Sequence, residues 1–126
     1  MNKEPLEIAE EVSTAFTNKD ITALRALYHD NAEVWHNYDN ESLPMNEALD
    51  RASAVFSSFD EVSVQNARRH AIEGGYVQQH DYVFSQSNGD PLVIPCCLVV
   101  TVEDGKISRT EAYRDSSALN TAPSRQ

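Results

Sequence analysis

The chain has 126 residues, 40% of them hydrophobic and 24% charged, enough for one real core and too few for two. Ten Lys and Arg stand against 20 Asp and Glu, and the formal net charge of −10 argues against nucleic acid and anionic membranes as partners. No apolar run approaches the roughly 20 residues of a transmembrane helix, and Met1–Pro5 lacks the apolar core of a signal peptide.

The first third has helical spacing. Ile8, Val12, Ala15 and Phe16 recur at three and four residues, with Pro5 suited to a first turn. Asn18-Lys19-Asp20 breaks the pattern, and Asp20 is a good N-cap for a second short helix carrying Ile21, Leu24, Leu27 and Tyr28. His29-Asp30-Asn31 turns the chain into a strand over 32–37 (Ala-Glu-Val-Trp-His-Asn). Residues 38–44 are expected to form a loop. A third helix follows, with Ala48, Leu49, Ala52, Val55 and Phe56 on one stripe.

From about residue 61 the period changes to two. Strands are expected near 61–72, 75–86, 92–103 and 106–115, punctuated by Gly74-Gly75, Asn88-Gly89 and Asp104-Gly105, the last a strong tight-hairpin signal. The strand at 92–100 is apolar on both faces, so both need cover: helices on one side, a pocket wall or second subunit on the other. Its two cysteines, Cys96 and Cys97, are adjacent and point to opposite faces, so they are not expected to cross-link. Isolated thiols fit a reducing cytoplasm. Residues 117–126 are expected to form a loose tail. Helices first and antiparallel strands after make an α+β layout, one domain over 1–126 with an ordered core of about 5–119.

Three stretches give the chain a relationship. Asn18 to Tyr28 continuing through Val34-Trp35-His36, the hairpin Asp104-Gly105-Lys106-Ile107, and the closing run Glu111-Ala112-Tyr113-Arg114-Asp115 together resemble the nuclear transport factor 2-like superfamily. That superfamily includes ketosteroid isomerases, polyketide cyclases, scytalone dehydratase and limonene epoxide hydrolase. Trp35-His36-Asn37, Gln78-Gln79-His80 and Pro95-Cys96 look like one subgroup whose members mostly lack an assigned activity. The resemblance implies a cystatin-like cone: a curved, mostly antiparallel sheet with three N-terminal helices on its concave face, open at one end and commonly paired as a homodimer. It also implies that His36 sits where ketosteroid isomerases carry a carboxylate general base, and Asp115 where polyketide cyclases carry an acid/base Asp. Val12 stands where the isomerases place a Tyr donor, and valine has nothing to donate.

His36 is the leading candidate residue. Histidine titrates near neutrality, about pH 6–7, and serves as general acid or base; the plainer alternative is a half-buried imidazole tied to a neighbour. Tyr76, Gln78, His80, Tyr82 and Phe84 share one face of a strand, the usual make-up of a small-molecule pocket or, equally, of a cross-strand aromatic cluster. His80 is either a second acid/base group or an orienting donor. Asp115 is expected to polarise His36, or else to cap a strand end. Tyr28, Gln78, Tyr82, Cys96 and Tyr113 are the expected substrate contacts, with Cys96 open to being inert packing. The His spacing fits no metal site, and there is no phosphate loop or dinucleotide fingerprint, so no cofactor is expected. Two functions follow. One is a cofactor-independent isomerase, cyclase or dehydratase acting on a small hydrophobic molecule through His36 and Asp115. The other is a non-catalytic binding or dimerisation module.

Overall fold

A computed structural model of the chain describes residues 3–115; the tail expected over 117–126 lies outside the described residues. The order is α1 (Pro5–Thr17), α2 (Ile21–Ala26), β1 (Tyr28–His36), β2 (Glu41–Pro44), α3 (Met45–Ser58), β3 (Glu61–Ile72), β4 (Gly75–Ser85), β5 (Leu92–Glu103) and β6 (Lys106–Arg114). The six strands form one sheet in the order β2-β1-β6-β5-β4-β3. Every neighbouring pair is antiparallel except β1 and β6, which run parallel. The fold is the expected α+β one: a curved sheet with three helices packed on its concave face.

Local chemistry accounts for the helices. Pro5 opens α1, and the Glu7 side chain accepts from the Glu4 backbone N–H at 3.2 Å. Asp20 caps α2 by accepting from Ala23 N–H at 3.0 Å. α1 buries Ile8, Ala9 and Ala15, and α3 buries Met45, Leu49 and Phe56. These meet Phe84, Ile94, Leu98 and Val100 from the inner faces of β4 and β5.

Two elements differ from the sequence expectation. The segment 38–44 is not all loop: Glu41–Pro44 pairs with β1, placing His36 opposite Glu41. A four-residue strand with a proline is tolerated because β2 is an edge. Tyr28 is not the last residue of α2. That helix stops at Ala26, and Tyr28 opens β1 opposite Ile107, whose N–H bonds Leu27 O at 2.9 Å.

The sheet is bent by identifiable devices. Asp104 and Gly105 both have positive φ (51° and 79°), as a type I′ hairpin turn requires. Between the pairs Gln65–Asp81 and Arg68–Gln79, two residues of β3 oppose the single residue His80. Asn66 in this bulge has φ 58° and donates to Asp81 Oδ2 at 2.9 Å. On β5 alternation buries Ile94, Cys96, Leu98 and Val100 and leaves Val93 52% exposed on the convex side.

Gly75 lies where β4 and β5 leave no room for a side chain. A Cβ there would stand 1.8 Å from the carbonyl oxygen of Val100. Gly75→Ala is expected to destabilise the fold by about 3 kcal/mol, since the backbone itself must move. Urea melts of the two proteins check this; a midpoint shift worth under about 1 kcal/mol would mean that the β4–β5 ladder yields easily.

Candidate functional site

Between α1, α3 and the concave face lies a cavity of about 140 Å³. Its deep wall is apolar, from Val12, Phe16, Leu49, Val55 and Phe84. Phe16 ties the wall together, with ring centroids 4.7 Å from Tyr82 and 4.9 Å from Phe56. His36, Tyr38, Arg51 and Arg114 also line the cavity, and Tyr38 and Arg51 are exposed, which places them at its open end.

Strand parity selects these groups. His36 pairs across β1–β6 with Ala112, so on β6 the cavity receives Thr110, Ala112 and Arg114. His36 is only 8% exposed, and its Nδ1 is buried without a hydrogen-bond partner. Its pKa is lowered to about 4, first by burial and then by the Arg114 and Arg51 guanidiniums, with Asp39 pulling the other way. The imidazole is therefore neutral at pH 7. Arg114 lies 5.8 Å from the Tyr38 ring centre and 5.9 Å from that of Tyr82, within cation–π range of both, and its buried Nε has no partner.

His80 belongs to the same face, two strands on from Arg114, because it pairs with Cys96 and Cys96 pairs with Arg114. Its hydrogen bonds assign its tautomer. Arg69 Nε donates to Gln78 Oε1 at 2.8 Å, which turns the Gln78 amide nitrogen toward His80 Nδ1, 2.9 Å away. Nδ1 therefore accepts and the ring proton sits on Nε2, which is buried without a partner. Burial, more than the nearby charges, lowers the His80 pKa to about 4.

Helices packed on the concave face of a curved sheet are also what comparison with known proteins finds. Residues 9–110 match the SnoaL-like domain. The chain belongs to the SnoaL-like family. Solved structures agree with it in fold. One is a protein of ketosteroid isomerase-like fold from Catenulispora acidiphila DSM 44928, in complex with trimethylamine: 13% identical, TM-score 0.74, covering 87% of this chain and 86% of that one. A protein from Shewanella putrefaciens CN-32, named for its likeness to SnoaL-like polyketide cyclases, is 12% identical with TM-score 0.78 over 94% of this chain and 84% of its own. TerC, co-crystallised with polyporic acid, is 16% identical with TM-score 0.75 over 92% and 95%. No curated protein matches the chain.

The SnoaL-like domain distributes the sequence candidates unevenly. His36, Tyr28 and Tyr82 line the cavity. Tyr28 has its phenol pKa raised by burial, partly offset by the neighbouring Thr110 side chain. Gln78, His80 and Cys96 are buried on the same concave face but do not line the cavity, and His80 meets Tyr82 edge-on at 4.4 Å. Burial pushes the Cys96 thiol up to about 12, which suits packing rather than nucleophilic chemistry. Tyr113 faces the other way: it is 43% exposed and packs on Trp35 at 5.2 Å, on the convex side. Asp115 is exposed, one residue past the end of β6, and the charges acting on His36 are Arg114, Asp39 and Arg51. Past the register shift between Ile107 and Arg109, the odd-numbered residues of β6 point outward, which is the physical reason that Tyr113 misses the cavity.

Sequence reasoning passed over Arg114, Arg51 and Tyr38. The signal for Arg114 was its parity with Ala112 once His36 is paired across the sheet. Arg51 adjoins the Ala48-Ala52-Val55 stripe of α3.

The two imidazoles make stability depend on pH. Both folded-state values lie below the ordinary 6.5, so between about pH 6.5 and 4 the unfolded chain binds protons that the folded chain refuses. Their contribution is fully present above pH 6.5 and is lost as pH falls toward 4, on the order of 1–3 kcal/mol for each ring. Melting curves at pH 7 and 4.5 are expected to show this loss, and a chain carrying both His36→Gln and His80→Gln is expected to show a smaller one. An NMR titration placing His36 near 6.5 would contradict the assignment.

Proposed function

We propose that this SnoaL-like domain binds a small hydrophobic molecule and acts as a cofactor-independent enzyme of isomerase, cyclase or dehydratase type. His36 is the group that moves a proton, at a carbon activated by a carbonyl or in the loss of water. The observation that carries this reading is the unpartnered Nδ1 of a buried, neutral imidazole on the wall of an apolar cavity. A buried polar atom without a partner costs about 1–3 kcal/mol, and a substrate atom bound beside it relieves that cost. Related folds that hold trimethylamine or polyporic acid support the cavity as a ligand site. In this reading the largest charge acting on His36 is the cation Arg114, which opposes the imidazolium and keeps the ring neutral in the free protein.

The second reading is a non-catalytic binding module. It is favoured by the depressed basicity of His36, about 4, which makes the free imidazole a weak base. His36→Ala separates the two. An acid/base group is worth roughly 10²–10⁴-fold in rate, so the variant is expected to lose at least a hundredfold in turnover of the true substrate while still binding it. Unchanged turnover would leave the binding module as the function.

We also propose a homodimer interface on the convex face. Val93 and Tyr113 are exposed there, with Val77 and Val99 half-buried further along the same face. Light scattering is expected to return twice the 14.1 kDa chain mass at micromolar concentration. A mass of one chain would remove the interface.

A further inference from the structure

The polar end of the cavity is cationic in an acidic protein. Arg51 and Arg114 both line it, and among the described residues neither forms an ion pair with a carboxylate. Asp39 is the carboxylate that acts on His36, and its Oδ1 already accepts from Glu41 N–H at 3.0 Å. Arg114 is a half-buried cation held between two rings, with the N–H of its Nε buried and unused. Nε and a terminal nitrogen on the same side of a guanidinium form the fork that binds a carboxylate through two parallel hydrogen bonds. The whole cavity, about 140 Å³, is close to the roughly 150 Å³ that encloses a benzene ring, and most of its lining is apolar.

We propose that the ligand is a small organic anion, a carboxylate on a flat apolar body about one ring across. Its carboxylate pairs with Arg114, and Arg51 at the open end adds a second, weaker attraction. The ring lies against Phe16 and Tyr82, and its inner edge faces His36. This deepens the function proposed above and rests on the same cavity. A carboxylate that takes up the free Nε–H supplies the charge that an unpaired, half-buried guanidinium lacks. A neutral ligand of the same shape leaves it lacking.

Benzoate and benzamide, equal in shape and different in charge, test this by calorimetry together with the imidazole NMR signals of His36. Benzoate is expected to bind in the cavity and shift His36, at least tenfold tighter than benzamide. Arg114→Met, which keeps an apolar stem, is expected to weaken benzoate ten- to a hundredfold and leave benzamide unchanged. Should that variant not fold, Arg51→Met on the exposed side of α3 carries the test, with benzoate weakened about threefold and benzamide unaffected. Equal affinities for the two probes, both shifting His36, would overturn the anion proposal and leave the small-molecule cavity standing. No shift of His36 by either probe at millimolar concentration would overturn both.

Discussion

The electrostatics of the concave face are organised around one guanidinium. Arg114 opposes the charged form of His36 and of His80, and it favours the charged forms of Tyr82 and Cys96. Burial is the larger influence on each of these groups, yet Arg114 is the charge they share. It lies in the row His80–Cys96–Arg114 that crosses three adjacent strands, with Tyr82 in cation–π range and the Tyr38 ring on its other flank. Adjacent strands are about 4.8 Å apart, so a row of three spans about 10 Å, within reach of long side chains. The site is thus a property of register. A slip of one residue on β6 would send Arg114 to the convex face and bring Tyr113 inward.

The fold holds that register and keeps the cavity open at a cost. Empty core volume destabilises by about 24 cal/mol per Å³, so 140 Å³ left unfilled corresponds to at most about 3 kcal/mol, less wherever water enters through the mouth. The curvature that opens it comes from the β3 bulge facing His80 and from the parallel pairing of β1 with β6, whose register shifts between Tyr28 and Glu33. The close approach at Gly75 locks β4 against β5. α3 then closes the other side with small residues: Ala48 and Ala52 line the cavity where larger side chains would fill it.

Much of this was legible in the residues themselves. The Ala48-Leu49-Ala52-Val55-Phe56 stripe announced a helix with one apolar face, and Asp104-Gly105 announced a hairpin, because both signals are local. The change from helical to alternating spacing near residue 60 announced helices first and a sheet after. Non-local features were not visible. β2 has four residues and a proline, so only its pairing with β1 makes it a strand. The cavity-facing half of β6 depends on which of its residues sits opposite His36, and alternation along a single strand leaves that choice open. Hence Arg114 was overlooked and Tyr113 was expected in the pocket. The shared face of Tyr76, Gln78, His80, Tyr82 and Phe84 was readable, but of these Gln78 and His80 do not line the cavity, which parity alone does not decide.

A neutral His36 beside an unpaired cation makes a weak base in the free protein, and a catalytic role has to account for that. The depression has two parts with different fates. Burial persists or deepens when a ligand enters. The repulsion from Arg114 and Arg51 is cancelled when an anion pairs with them, and the anion's own charge then favours the imidazolium. Binding of an anionic ligand therefore raises the His36 pKa toward the range in which an imidazole transfers protons well at neutral pH. By linkage, protonating His36 strengthens binding of that anion by the same factor. Under the proposed function, the cation that weakens the base in the free protein makes its recovery conditional on an anionic ligand, so that one residue would serve both recognition and the timing of proton transfer.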